Sequence, residues 1–137
     1  MKNAFVYGWL ILGLSVVSCK KYVQQQEYNT AVNIITNGTW YVQQYLQDTT
    51  DITATLSSYK FQFKTDGTVT GTNGAISVTG TWQTDIPNRT ITSSFPAGSG
   101  NLNELDGVWK ITDSSPVYVV AHATINSNTD SLRLQKN

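Results

Sequence analysis

The chain has 137 residues, of which only 13% are charged, and its nine basic residues balance nine acidic ones. That length allows one domain at most, and with no basic stripe to follow phosphates, a nucleic-acid partner is excluded. One Cys and one His likewise leave no intramolecular disulfide and no multi-His metal site to build.

The N-terminus is a separate device. Lys2 supplies a short cationic start, and Ala4 to Val17 is an apolar stretch too short to span a bilayer as a helix. Residues 1–18 are therefore expected to be a signal peptide. Val16-Val17-Ser18-Cys19 resembles the lipobox of bacterial lipoproteins, with Val16 in place of the usual Leu. The resemblance implies that Cys19 becomes the new N-terminus and carries palmitate-type acyl chains. Each buried methylene contributes about 0.8 kcal/mol, so several chains together hold a protein at the bilayer essentially permanently. The competing reading is a buried thiol inside an uncleaved anchor. Residues 19–36 are expected to form a lipidated tether, polar from Lys20 to Gln26, followed by a short amphipathic helix. Tyr28, Ala31, Val32 and Ile35 recur at helical spacing before Asn37-Gly38 ends the run. Such a helix plugs, or lies along, one end of whatever follows.

Strand patterning begins at Thr39. Over Thr39 to Gln47, strict alternation places Trp40, Val42 and Leu46 inward, with Gln44 as a polar intruder and Tyr41 and Tyr45 outward. Asp48 to Ser58 is a loop longer than a hairpin needs, of the kind found at binding mouths. Tyr59 to Asp85 carries the clearest signal: Tyr59, Phe61 and Phe63 fall on one face of their strand, and Ile76, Val78, Gly80 and Trp82 on one face of theirs, each the expected dry face. Turns at Asp66-Gly67 and Asn73-Gly74 divide this stretch into a three-stranded meander. A turn at Ile86-Pro87-Asn88 leads to a fifth strand, Arg89 to Ser94, followed by a flexible crossing at Ala97 to Gly100 and a helical turn over Asn101 to Asp106. Strands six to eight are expected at Gly107 to Asp113, Val117 to Ile125 and Ser131 to Gln135. Both faces of Val117 to Ile125 are apolar, so its register stays open. Eight consecutive antiparallel strands give a closed up-and-down barrel or a packed sandwich. Closure removes exposed edges, and eight is the number at which the interior is just filled or holds one small ligand. The expectation is an all-β, eight-stranded antiparallel barrel over residues 37–137, preceded by a short helix.

Five ordered features carry a family resemblance: Gly38-Thr39-Trp40; Phe61-x-Phe63 followed by Asp66-Gly67-Thr68-Val69; Gly80-Thr81-Trp82; Leu105-Asp106-Gly107-Val108-Trp109-Lys110-Ile111; and Leu132-Arg133-Leu134-Gln135-Lys136. Together they resemble the lipocalin-like lipoproteins of Bacteroidota. The resemblance implies a small calycin-type barrel on a lipid anchor in the cell envelope, at the outer membrane. In that phylum surface export goes with acidic residues after the Cys; Lys20 and Lys21 favour the periplasmic face. No Thr-Asp-Tyr occurs in any loop and no helix follows the last strand, so apolar-ligand transport comes from true lipocalins by analogy only.

Little in the chain suggests catalysis, and no cofactor is expected. His122 has no second His to work with. Glu104 and Asp106 form the closest Glu/Asp pair, and paired carboxylates serve glycoside hydrolysis when set across a cleft; on a leucine-anchored turn they more often cap it. The inward aromatic residues Trp40, Phe61, Phe63, Trp82 and Trp109, with Val78, are the candidate pocket lining. Their plain reading is core. Gly71 and Gly80, also inward, leave space for a ligand or let the barrel bend. Tyr41, Tyr45 and Tyr118 are a candidate outer aromatic surface, and Asp48-Thr49-Thr50 and Asp130-Ser131-Leu132 resemble the O-glycosylation tripeptide of Bacteroidota. The leading expectation is a non-enzymatic, lipid-anchored envelope protein whose barrel binds a small apolar ligand or a protein partner. The alternative is an accessory or inhibitor-like module with a filled core.

Overall fold

The computed structural model describes the backbone of residues 15–137 and side chains from Lys20 onward. The expected signal peptide therefore lies largely outside the described residues, as does the side chain of Cys19. The described chain begins in helix α1, Ser15–Thr36, and continues through strands β1 (Trp40–Gln47), β2 (Thr50–Asp51), β3 (Lys60–Phe63), β4 (Thr68–Asn73), β5 (Ile76–Asp85), β6 (Thr90–Ser94), β7 (Gly107–Ser114), β8 (Tyr118–Ile125) and β9 (Asn128–Lys136). Every pairing is antiparallel. Each strand from β3 onward pairs with the next, and β1 pairs with both β3 and β9, which closes an eight-stranded barrel; β2 is a two-residue extra strand folded back on β1. The expected up-and-down barrel is present, and the sandwich is excluded.

Three differences from the sequence reading have local causes. The helix starts well before Glu27, because Lys20 to Gln26 contains no Gly or Pro and consists mostly of good helix formers. The segment expected as a polar tether is a solvent-exposed helical arm. In β1, Val42 pairs with Leu134 but Gln44 pairs with Arg133, so Gln43 is an extra residue, a β-bulge. The bulge inverts the alternation beyond it. Tyr45 consequently points inward, fully buried, while Leu46 is only half-buried. The β4–β5 hairpin pairs Asn73 with Ile76, which centres its turn on Gly74-Ala75 rather than on Asn73-Gly74. Gly74 takes the positive φ of 60° that this tight connection needs.

Pairing with β9 resolves the register of β8: Val119 faces Leu134 and Ala121 faces Leu132, so Val119, Ala121 and Ala123 point inward and Tyr118, Val120 and His122 outward. Arg89 belongs to the β5–β6 turn, in the left-handed region at φ 53°, and its N–H donates to the Ile86 carbonyl at 3.0 Å.

The two ends of the barrel are built differently. At one end, irregular segments fold inward as a plug. Leu56 from the β2–β3 connection and Leu102 from the helical turn Gly100–Leu105 are fully buried, and Phe95 and Leu105 are almost so. Tyr45 completes this end: its hydroxyl donates to Asp130 Oδ2 at 2.7 Å, with the Glu104 carbonyl oxygen a second acceptor at 2.8 Å, and its ring meets Trp109 edge to face at 5.8 Å. Burial and the neighbouring Asp130 carboxylate push the Tyr45 phenol well above its ordinary pKa. The opposite end carries the β3–β4, β5–β6 and β7–β8 turns and is crossed by α1. Ile35 is buried there, the Trp40 indole N–H donates to the Ile35 carbonyl at 2.9 Å, and Lys136 reaches the Ile34 carbonyl at 3.3 Å while lying 5.0 Å from the centre of the Trp40 ring. These contacts satisfy carbonyls that the helix C-terminus would otherwise leave bare.

Candidate functional site

The six candidate pocket-lining residues do not share one cavity. Phe61, Phe63 and Trp109 line an internal space of about 50 Å³ together with Val69, Ala121 and Leu134. Small-molecule sites typically occupy roughly 300–1,000 Å³, whereas one water takes about 30 Å³; the interior is a packed core. Trp40 is fully buried beneath the end of α1 and Val78 is half-buried beside Gly71, lining neither this space nor the clefts beside α1, and Ile76, expected on the same dry face as Val78, is exposed next to the β4–β5 turn. The room expected at the two inward glycines is already occupied. A Cβ on Gly71 would sit 3.1 Å from Leu102 Cδ2 and 3.2 Å from Phe61 Cε1, and one on Gly80 would press on the Ser94 carbonyl oxygen and lie 2.9 Å from Phe95 Cδ1. Sequence reasoning missed this because Leu102 and Phe95 arrive from segments with no strand period.

Trp82 is the exception. It lies at the mouth beneath α1, meets Phe63 edge to face at 5.5 Å, and is fixed by its indole N–H donating to the Lys64 carbonyl at 2.9 Å. Here the barrel mouth and the helix enclose a groove of about 530 Å³, inside the usual range for a small ligand. Its floor is the rim of the barrel interior, formed by Trp82, Ile91, Ile111 and Val119. One wall is the α1 face carrying Val23, Glu27, Ala31 and Ile34, and the other comes from the turns bearing Ile86 and Pro116. The helix face recurs at intervals of three and four residues, so one stripe of α1 lies along the groove for three turns. Of the amphipathic run legible in the sequence, Tyr28, Ala31, Val32 and Ile35, only Ala31 and Ile35 line the groove, while Tyr28 lines the cleft on the other flank of α1. The signal for the remainder was Val23, an exposed apolar residue one heptad before Thr30, which also lines the groove.

The groove is apolar on its floor and polar at its edge, where Gln26, Thr30, Ser114 and Ser115 sit. Ser115 Oγ is occupied by the Val117 and Tyr118 N–H groups at 3.1 and 3.2 Å, which shapes the β7–β8 turn. On its other flank α1 borders a cleft of about 650 Å³ lined mostly by polar and charged side chains, Lys21, Gln24, Asp85 and Thr92 among them, with Tyr28, Ile86 and Pro87. The arrangement suits sequestering an apolar body beneath a polar rim. Among the described residues, no group of three or more His, Cys, Asp or Glu is placed to hold a metal.

The remaining candidate residues have structural partners. Asp106 accepts from the Phe95 N–H at 2.6 Å and from Asn103 Nδ2 at 2.9 Å, and Glu104 accepts from Gln47 Nε2 at 2.8 Å, so both carboxylates pin the plug. His122 lies on the outer face opposite Lys110 and Ser131. Tyr41 and Tyr118 flank Gln135 on the outer sheet, with the Arg133 guanidinium 4.3 Å above the Tyr118 ring; Tyr45 is absent from that surface, being inside. Asp48-Thr49-Thr50 sits at an exposed turn, whereas Asp130-Ser131-Leu132 lies within β9, with Asp130 buried.

No protein-family model matches the sequence, and no curated protein is significantly similar to it. Among solved structures, the fold is similar to that of a DUF4847 family protein from Bacteroides vulgatus ATCC 8482. The TM-score is 0.56 at 18% identity, over 78% of this chain and 97% of that one. At that identity the likeness shows a shared barrel fold.

Proposed function

We propose that this chain is a non-catalytic, lipid-anchored envelope protein that holds a small apolar ligand in the groove between α1 and the barrel mouth. The observation that carries this reading is the contrast in space: about 530 Å³ under the helix against about 50 Å³ inside the barrel. Acylation of Cys19, as the lipobox resemblance implies, would put the membrane at the start of α1, and the helical arm would then hold the groove close to the source of apolar ligands. With Lys20 and Lys21 next to the anchor, the periplasmic face of the outer membrane is the proposed location, in line with the lipocalin-like lipoproteins that the sequence resembles.

The test uses residues 19–137, which retain the whole barrel and every groove-lining residue, and N-phenylnaphthylamine as a neutral fluorescent probe. Its emission should rise on binding and fall back in Ala31→Trp, which fills the groove from the half-buried face of the helix. No enhancement, or enhancement unchanged by Ala31→Trp, overturns the reading. The packed interior also favours a second one, an accessory module that docks a protein partner through the Asp48 to Ser58 and Ala97 to Gly100 segments. Crosslinking in cells from those segments would trap that partner, and recovery of monomer alone would refute it.

A further inference from the structure

We infer that the ligand of the groove is a cationic amphiphile, with its apolar body against Trp82, Ile91, Ile111 and Val119 and its positive charge beside Glu27. This rests on the groove being a ligand site and adds the chemistry it selects. Glu27 is the one formally charged residue in the lining, with no Lys or Arg to offset it. Its neighbours on α1 are engaged, Gln25 with Asn29 at 3.1 Å and Gln26 with Tyr22 at 2.9 Å, whereas no described residue forms an ion pair or hydrogen bond with the Glu27 carboxylate. Lys21 lines the cleft on the other flank of the helix, and Lys20 lies seven residues from Glu27, about 10 Å along the axis at 1.5 Å per residue.

Glu27 is an exposed carboxylate at the edge of an apolar floor, screened by salt as surface charges are. It attracts a cation whose alkyl body is held below it, leaves a neutral head unpaired and repels an anionic one. The polar groups opposite, Thr84 and Ser114, carry no charge that would reverse this order. The selectivity is that of an exposed charge contact, a factor of about two to five in affinity for each step of head-group charge.

The experiment displaces N-phenylnaphthylamine from residues 19–137 with decyltrimethylammonium, decyl maltoside and decyl sulfate, all below micelle formation, with far-ultraviolet circular dichroism checking the fold. The expected order of affinity is cation, then neutral, then anion, with the spread narrowing at high salt. Glu27→Gln should abolish the order, bringing the affinities of the cation and the anion together with that of decyl maltoside. If the neutral compound binds but no charge order appears, or the order survives Glu27→Gln, the inference falls and the ligand site stands. If none of the three binds, the ligand site falls with it.

Discussion

Replacing Gly80 with Ala asks whether the barrel interior is as full as its geometry shows. The added methyl would press on the Ser94 carbonyl oxygen and lie 2.9 Å from Phe95 Cδ1 and 3.2 Å from Phe95 Cα. Two of these three atoms are backbone on the chain leaving β6, so relief requires shifting a strand pairing that runs from Thr81–Ser94 to Asp85–Thr90. Overpacking of a rigid core costs about 1–3 kcal/mol, and a backbone obstacle places Gly80→Ala at the upper end, about 2–3 kcal/mol. Gly71→Ala is the matched control. Its methyl meets only the side-chain tips of Leu102 and Phe61, at 3.1 and 3.2 Å, which can yield by tenths of an ångström, so its cost should be about 1 kcal/mol. Urea unfolding of residues 19–137, compared at equal m-value, reads both differences. An open interior would accept either methyl, and restriction of the unfolded chain would then stabilise both variants by roughly 0.4–1 kcal/mol. That result would refute the packed core.

The buried Tyr45 phenol should make the fold sensitive to alkali. Its folded pKa is raised above the unfolded value of 10.0, so the stability it contributes is fully present below pH 10 and is lost as pH rises beyond it; in Tyr45→Phe the alkaline loss monitored by circular dichroism should shrink. Acid acts through the turns. Asp66 accepts from the Thr68 hydroxyl and N–H at 2.6 and 3.0 Å, which holds its carboxyl below the ordinary value of 3.8. The stability from this contact is present above that value and is lost as pH falls through the folded pKa, so Asp66→Asn should flatten the acid limb of a pH–stability curve. Deleting Gln43 removes the β1 bulge and restores plain alternation, turning Tyr45 outward. A cooperative thermal transition at the wild-type temperature in that variant would show that the bulge does not set the register.

Much of this fold is written in alternation. Phe61, Phe63, Val69 and Trp82 lie on the inner face where their period puts them, because each strand of the meander has one dry and one wet side and short turns fix its register. Tyr45 could not be placed in that way. A bulge is an extra residue relative to a partner strand, and the partner β9 lies some ninety residues along the chain, so nothing in Val42-Gln43-Gln44-Tyr45 announces it. The register of β8 was hidden for a different reason: both its faces are apolar, and only pairing with Leu132 and Leu134 of the adjacent β9 tells them apart. Leu56, Phe95 and Leu102 plug one end from irregular segments, and this turned the aromatic cavity expected from the sequence into a core. The groove was least legible of all. It exists only where α1 passes Ile86, Ser114 and Pro116 on two turns at one end of the barrel, and no local pattern encodes that meeting.

Amide chemical shifts of residues 19–137, followed while decyl maltoside is added below micelle formation, locate an apolar ligand directly. Changes concentrated at Val23, Ala31, Ile111 and Ser115 are the predicted result, with Ala121, Leu132 and Leu134 inside the barrel unmoved. The reverse pattern, with the interior strands responding and the helix silent, would contradict the account.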